Sequence, residues 1–189
     1  MIFLTHGEFV MSLKHAILGL LNIQPMTGYD LKHLAFDSTV SHFWQADQAQ
    51  IYRTLDKLEE EGLVISQLEI QTDRPNRRVY HITPFGINAL IEWLRSPQSP
   101  PVYREPFLVQ MFFGYLLDDR EILKHIDDHI AHHRGNLAEY QHIHMPPSDE
   151  ATTKRKQIFW RLTLELGMAL EKTYVDWLEK CKATIQNGG

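Results

Sequence analysis

One cysteine, Cys181, stands in 189 residues, so the chain has no internal disulfide and no Cys cluster from which a zinc ribbon or finger is built. That suits a reducing cytoplasm, where we expect the protein to work. A basic excess is missing as well: 19 lysines and arginines against 24 aspartates and glutamates leave a formal charge of -5. Coating nucleic acid or membrane by bulk electrostatics is thereby excluded, and any contact with a polyanion has to be local. No apolar run approaches the roughly 20 residues that span a bilayer, so no membrane partner is expected. The opening MIFLTHGEFV lacks a basic start and is too short for a secretory segment with its cleavage site. Residues 1–11 read as a frayed leader, with Met11 an alternative first residue. There is no phosphate-binding glycine loop, nucleophile elbow or dinucleotide fingerprint, so neither catalytic residues nor a cofactor are expected and the protein does not read as an enzyme.

What is present is helical periodicity with one interruption. From Ser12, a fitting N-cap, Leu13, Ala16, Ile17, Leu20 and Leu21 follow helical spacing up to Asn22–Pro25. Thr27 caps a second, short helix with Leu31, Leu34 and Ala35 inward, broken at Asp37–Ser38. Asp47 with Gln50 three residues on forms a capping box for a third helix, whose buried stripe is Ile51, Leu55 and Leu58 and whose stop is Gly62. Leu63–Ile70 and Val79–Ile82 read as strands joined by the polar turn Thr72–Arg78, in which Pro75–Asn76 is turn chemistry. Thr83 and Pro84 then open a fourth helix, with Leu90, Ile91 and Leu94 inward, that stops at Ser96–Pro97. Three helices, a hairpin and a helix are the order of a winged helix-turn-helix with a two-stranded wing, which we place at residues 12–96.

The Pro- and Ser-rich stretch Ser96–Pro101 marks a linker, residues 97–104, to a second unit over 105–189. That unit carries no strand signal: a short apolar helix over 105–117, a polar-faced one over 119–144, and a long one over 150–186. On the last, Ile158, Leu162, Leu166, Ala169, Leu170, Thr173, Trp177 and Cys181 repeat at three- and four-residue steps. So long an apolar face needs a partner, and a second copy of the chain is expected on Ile158, Leu162, Leu166, Leu170 and Trp177. The fold class is therefore mainly α with a minor α+β part: a winged helix followed by an all-helical dimerisation and effector unit.

With these elements placed, the sequence resembles the PadR family of transcriptional regulators over nearly its whole length. The residues that carry the likeness are Leu13–Leu21, Thr27-Gly28-Tyr29-Asp30-Leu31, Gln50–Leu58 followed by Glu61-Gly62-Leu63, Arg78–Thr83 with Gly86, and Trp177-Leu178 near the C-terminus. The resemblance implies a dimeric repressor, released from its operator by a small, often aromatic molecule.

Double-stranded DNA is thus the first partner expected, and the third helix the reader. Its C-terminal half carries Glu59, Glu60 and Glu61, which phosphates repel, so its N-terminal half should enter the major groove. Gln48, Gln50, Tyr52, Arg53 and Lys57 lie on or beside the outer face. Gln suits adenine, Arg suits guanine, and Tyr and Lys suit phosphates. In the wing, Arg74, Arg77 and Arg78 concentrate positive charge within an acidic chain, where a phosphate backbone or minor groove would lie. Thr27 and Tyr29 stand at the start of the second helix, where N–H groups and a phenol suit a phosphate, although Tyr29 equally suits packing beneath the hairpin. For the effector, Trp44, Phe107 and Trp160 offer aromatic lining, as do Phe43, Trp93, Phe112, Phe113 and Tyr174, and His15, Tyr115 and Arg161 offer polar anchoring. His125, His129, His132 and His133 share a helix at ligand-like spacing, but His125–His129 lacks the Glu that a zinc-protease motif places after its first His. His142 and His144 sit near a helix end, and no metal is expected. A ligand-sequestering or protein-interaction module on the same fold is the alternative in another class.

Overall fold

The computed structural model describes residues 6–70, 72, 76–143 and 151–188. Residues 1–5 of the expected leader, the turn residues Asp73, Arg74 and Pro75, and His144 lie outside the described residues. The chain divides into two compact units, Met1–Val102 and Tyr103–Gly189.

In the first unit, helix α1 (His6–Ile23) begins six residues before the expected cap at Ser12. No proline stands between Gly7 and Met11 to halt a helix, and a serine that can cap is also tolerated inside one. Leu13, Ile17, Leu20 and Leu21 are buried as their spacing requires, and Leu18 joins them. A two-residue strand β1 (Met26–Thr27) leads into α2 (Gly28–Asp30), which runs on into π-helical turns over Leu31–Thr39. Two expectations are corrected here. The helix passes through Asp37–Ser38, and Leu34 is 58% exposed while Phe36 is buried. A π-helix closes from residue i to i+5, as the Val40 N–H does on the Ala35 carbonyl at 3.0 Å. Its inward positions therefore fall at Leu31, Ala35 and Phe36, the five-residue step to Phe36 taking the place expected for the three-residue step to Leu34.

Helix α3 (Gln48–Glu60) starts on the capping box read from the sequence: Asp47 accepts from the Gln50 N–H at 2.8 Å, and the Gln50 side chain accepts from the Asp47 N–H at 3.1 Å. It ends before Gly62, whose φ of 69° suits a residue without Cβ. Ile51, Leu55 and Leu58 are fully buried and fix the rotation of the helix. Strands β2 (Val64–Glu69) and β3 (Arg77–Ile82) form the wing hairpin, and β1 pairs on the far side of β3, with Met26 opposite Tyr80. The sheet thus has three strands, not two, because a two-residue strand is too short to show alternation. Helix α4 (Pro84–Arg95) takes its cap from the Thr83 hydroxyl, which accepts from the Gly86 N–H at 3.1 Å. Of its expected inward residues Leu90 is buried, but Ile91 and Leu94 are exposed. The inward side runs through Gly86, Leu90 and Trp93, set by the Trp93 ring stacked on His15 of α1 at 4.6 Å, and Ile91 and Leu94 lie one residue, about 100°, further round.

In the second unit, α5 (Pro106–Phe112) and a single 3₁₀ turn (Gly114–Leu116) precede the antiparallel pair α6 (Asp119–Gln141) and α7 (Ala151–Gln186). Asp127 of α6 meets Lys182, and His133 meets Glu171, which sets the direction of the pair. Phe107, Ile122, Ile126, Ile130 and Leu178 form its core. No helix among the described residues is long and apolar enough to cross a membrane. The element order is a winged helix-turn-helix followed by an all-helical unit, the class the sequence leads one to expect.

Candidate nucleic-acid interface

The outer face of α3 follows from its inner one. With Ile51, Leu55 and Leu58 sealed in the core, Gln48, Arg53 and Lys57 are exposed and Tyr52 is partly so. Arg53 and Lys57 stand four residues apart on one face. In this unit Lys14 pairs with Glu61, Lys32 with Asp37, Arg77 with Asp30, Arg78 with Glu59 and Arg95 with Glu92. Arg53 and Lys57 have no ion pair among the described residues, so their charge is available to a ligand. Gln50 is less free than its position on α3 promises, because its amide oxygen is spent on the cap and only the amide NH2 remains.

At the start of α2, Thr27 is buried and its hydroxyl accepts from the Asp30 N–H at 3.0 Å, so it builds the turn and is not presented outward. Tyr29 is exposed, its ring against His33 at 4.2 Å.

The wing departs most from the sequence reading, which expected an open basic patch. Arg74 lies outside the described residues. Arg77 and Arg78 are neighbours on β3, and adjacent strand residues project to opposite faces, so they reach different partners. The Arg77 guanidinium donates to Asp30 at 2.8 Å. Burial pushes the Asp30 carboxyl up, but hydrogen bonds from the Thr27 hydroxyl and N–H and the Arg77 charge outweigh it and hold the group below the ordinary carboxylate value. Arg78 pairs with Glu59 of α3, donates to the Ser66 hydroxyl at 2.9 Å, and lies 5.2 Å from the centre of the Tyr80 ring. Asp30 and Glu59 are the residues that reading the sequence missed. Each stands far from its arginine in the chain, 47 and 19 positions away, and no local spacing announces either pair.

The aromatic and polar candidates for an effector fall in both units. His15 is buried in its stack on Trp93, and Trp44 packs half-buried on the same core. Phe107 is buried, stacked on His129 at 3.8 Å and edge-on to Trp177. Tyr115 is exposed, Trp160 half-buried, and Arg161 exposed beside Glu165 at 3.4 Å. Two histidines of α6 are absorbed in packing, His129 on Phe107 and His133, which stacks on Tyr174 and meets Glu171 at 2.5 Å, whereas His132 is exposed. Among the described residues no group of three or more metal-ligating side chains converges.

The apolar positions of α7 divide into two faces. Leu164 and Leu178 are buried, Leu178 in one cluster with Ile122, Ile126 and Ile130 of α6, against which Trp177 and Cys181 also pack. Ile158, Leu162, Leu166 and Leu170, together with Phe159, remain about half exposed. Trp177 therefore belongs to the unit's own core. At about 100° per residue it falls within the arc of the stripe, between Leu166 and Leu170, but it stands further along the helix, where its ring meets Phe107 of α5 edge-on.

Residues 17–92 match the family described as "Transcriptional regulator PadR-like family", and residues 103–186 match "Virulence activator alpha C-term". The negative transcriptional regulator PadR of Bacillus subtilis is 29% identical over 177 residues, which are 92% of this chain and 97% of that protein. Its crystal structure in complex with operator DNA superposes with a TM-score of 0.76 at 29% identity, over 92% of this chain and 99% of that one. Its complex with p-coumaric acid gives 0.70 at 29%, over 92% and 98%. A further crystal structure of the same regulator gives 0.65 at 30%, over 92% and 98%.

Proposed function

Because the chain belongs to the PadR-like family of transcriptional regulators, we propose that it is a homodimeric repressor that binds a two-fold-symmetric operator and is released by a small aromatic, phenolic molecule. The observation that carries this reading is the outer face of α3, where Arg53 and Lys57 have no ion pair among the described residues while the other described lysines and arginines of the unit are paired. In it, residues 12–96 bind DNA, 97–104 link, and 105–189 dimerise and take the effector.

The N-terminal half of α3 enters the major groove, away from Glu60 and Glu61. Gln48 and the free amide NH2 of Gln50 face base edges, Arg53 reaches a guanine, and Lys57, Tyr52 and Tyr29 hold phosphates. The exposed α7 stripe of Ile158, Leu162, Leu166 and Leu170 seats a second copy. Two-fold symmetry then presents two copies of α3 to successive major grooves about 34–36 Å apart, hence a palindromic site. The relative's complexes with operator DNA and with p-coumaric acid support both ligand classes. For the effector we keep His15, Trp44, Phe107, Tyr115, Trp160 and Arg161 as candidate contacts. Release follows if the effector favours an arrangement of the two DNA-binding units that no longer fits the operator.

The test is selection of duplexes from a genomic library by the purified protein, followed by titration of the best sequence over a range of salt and of phenolic acids. Enrichment of a palindrome, with affinity that falls steeply with salt, supports the reading. A folded, dimeric protein that enriches nothing overturns it and leaves a ligand-sequestering or protein-interaction module on the same fold.

A further inference from the structure

The two wing arginines meet the same construction twice. Asp30 accepts from the N–H and the hydroxyl of one residue, Thr27, at 3.1 and 2.8 Å, and then from Arg77. Glu59 accepts from the N–H and the hydroxyl of one residue, Ser66, at 3.0 and 2.6 Å, and then from Arg78. Each carboxylate thus takes two hydrogen bonds from a residue other than the arginine, although in the second pair the Ser66 hydroxyl also accepts from Arg78. Asp30 sits on α2 and Glu59 on α3, so the two pairs tie the hairpin to both helices of the helix-turn-helix. Both arginine side chains remain about half exposed, within reach of a phosphate if they were let go.

We propose that Asp30 and Glu59 set specificity, by keeping Arg77 and Arg78 on the protein and fixing the wing against the helices that read the groove. This rests on the operator-binding reading above. Phosphate contacts are alike on every duplex, so each arginine released strengthens binding to all sequences. A wing cut loose from α2 and α3 also presents α3 less exactly to its own site. Both effects narrow the gap between operator and any other DNA. Asp30 and Glu59 touch no DNA in this scheme; they act through the arginines, and are positioning residues.

The experiment uses the full-length protein, its selected operator and a scrambled duplex of equal length, with binding measured across a salt series. Asp30→Asn and Glu59→Gln keep size and one acceptor oxygen for the Thr27 or Ser66 bonds, while removing the charge and replacing the other oxygen by an NH2 donor. Each is expected to tighten binding to the scrambled duplex, to steepen its log–log salt slope by about 0.9, and to lower the operator-to-scrambled ratio several-fold. Arg77→Gln and Arg78→Gln are expected to leave that slope as it is in the parent protein, since neither arginine is spent on phosphate. Slopes shallower by about 0.9 in the arginine variants would overturn the proposal, as would acid variants that bind both duplexes as the parent does. Should an acid variant fail to fold, the matching arginine variant decides. A parent protein with no preference for any duplex sinks the operator reading and this inference together; a parent that prefers its operator, with unaltered variants, sinks the inference alone.

Discussion

A methyl group on Gly86 would run into the carbonyl oxygen of Leu63, and would also come within 2.8 Å of the Ile82 side chain. That carbonyl is where the first turn of α4 is fastened: the Thr83 N–H donates to it at 3.0 Å and the Thr83 hydroxyl lies 3.1 Å away. Gly86 is a contact residue, and backbone cannot step aside for a Cβ. Gly28 looks similar but differs in kind, since a Cβ there would meet the outer end of the Tyr52 ring at 2.6 Å, and Tyr52 is partly exposed. Urea unfolding should therefore show Gly86→Ala destabilised by about 1–3 kcal/mol and Gly28→Ala by less than about 1 kcal/mol. Equal losses would mean that the ring is as immovable as the carbonyl.

Arg53 and Lys57 should behave as contact residues without structural duty. Neither packs in the core nor holds an ion pair among the described residues, so Arg53→Gln and Lys57→Gln should leave the unfolding midpoint nearly unchanged, within about 0.5 kcal/mol. Operator binding should weaken in both, and the salt slope should fall by about 0.9 for a residue on phosphate. Loss of base preference at one position, beyond a uniform loss, would mark Arg53 as the base reader.

Much of this was legible before any coordinates. The caps at Asp47, Thr83 and Gly62 declare themselves because a cap is a local device, complete within four residues. Ile51, Leu55 and Leu58 follow from one helical period. The π-helical turns after Leu31 were not legible, since an i to i+5 closure breaks the period by which Leu34 was placed inside. Nor was the state of the wing: Arg77 and Arg78 advertise charge in the sequence, while the carboxylates that neutralise them come from elsewhere in the chain. Composition locates cations. It does not say which are already spent.

Acid should loosen the second unit through His129. Burial against Phe107 pushes its imidazole below the ordinary value of 6.5; nearby His133 adds to this, Glu105 opposes it, and His132 and His125 lower it further. A histidine depressed in the folded state binds its proton more readily when unfolded, so stability rises with pH across the interval between the two values. The full contribution is present above 6.5 and is lost as pH falls toward the folded value. Asp30, also depressed, gives way only at lower pH, around and below its ordinary 3.8. Thermal midpoints compared at about pH 7.5 and about pH 5.5 should fall on acidification, and His129→Phe, which keeps an aromatic ring beside Phe107, should flatten that fall. An unchanged slope in the variant would assign the acid sensitivity to other groups.

The split of α7 into two faces makes the last test a contrast between two leucines. Leu178 is fully buried against α6, whereas Leu166 is 61% exposed in the middle of the stripe that runs from Ile158 to Leu170. Truncating Leu178 to Ala opens a cavity in the small core of this unit and should cost about 2–5 kcal/mol. Leu166→Glu buries nothing in an isolated chain and should leave its fold intact, but across a two-fold axis it brings two carboxylates into an apolar seam, where an unpaired charge is strongly disfavoured. Sedimentation should then find Leu166→Glu as a folded monomer and Leu178→Ala as a destabilised dimer. Because a palindromic site needs both copies of α3, the monomer should also lose operator binding while its weak affinity for unrelated DNA survives. A Leu166→Glu protein that stays dimeric would move the subunit contact to a different surface.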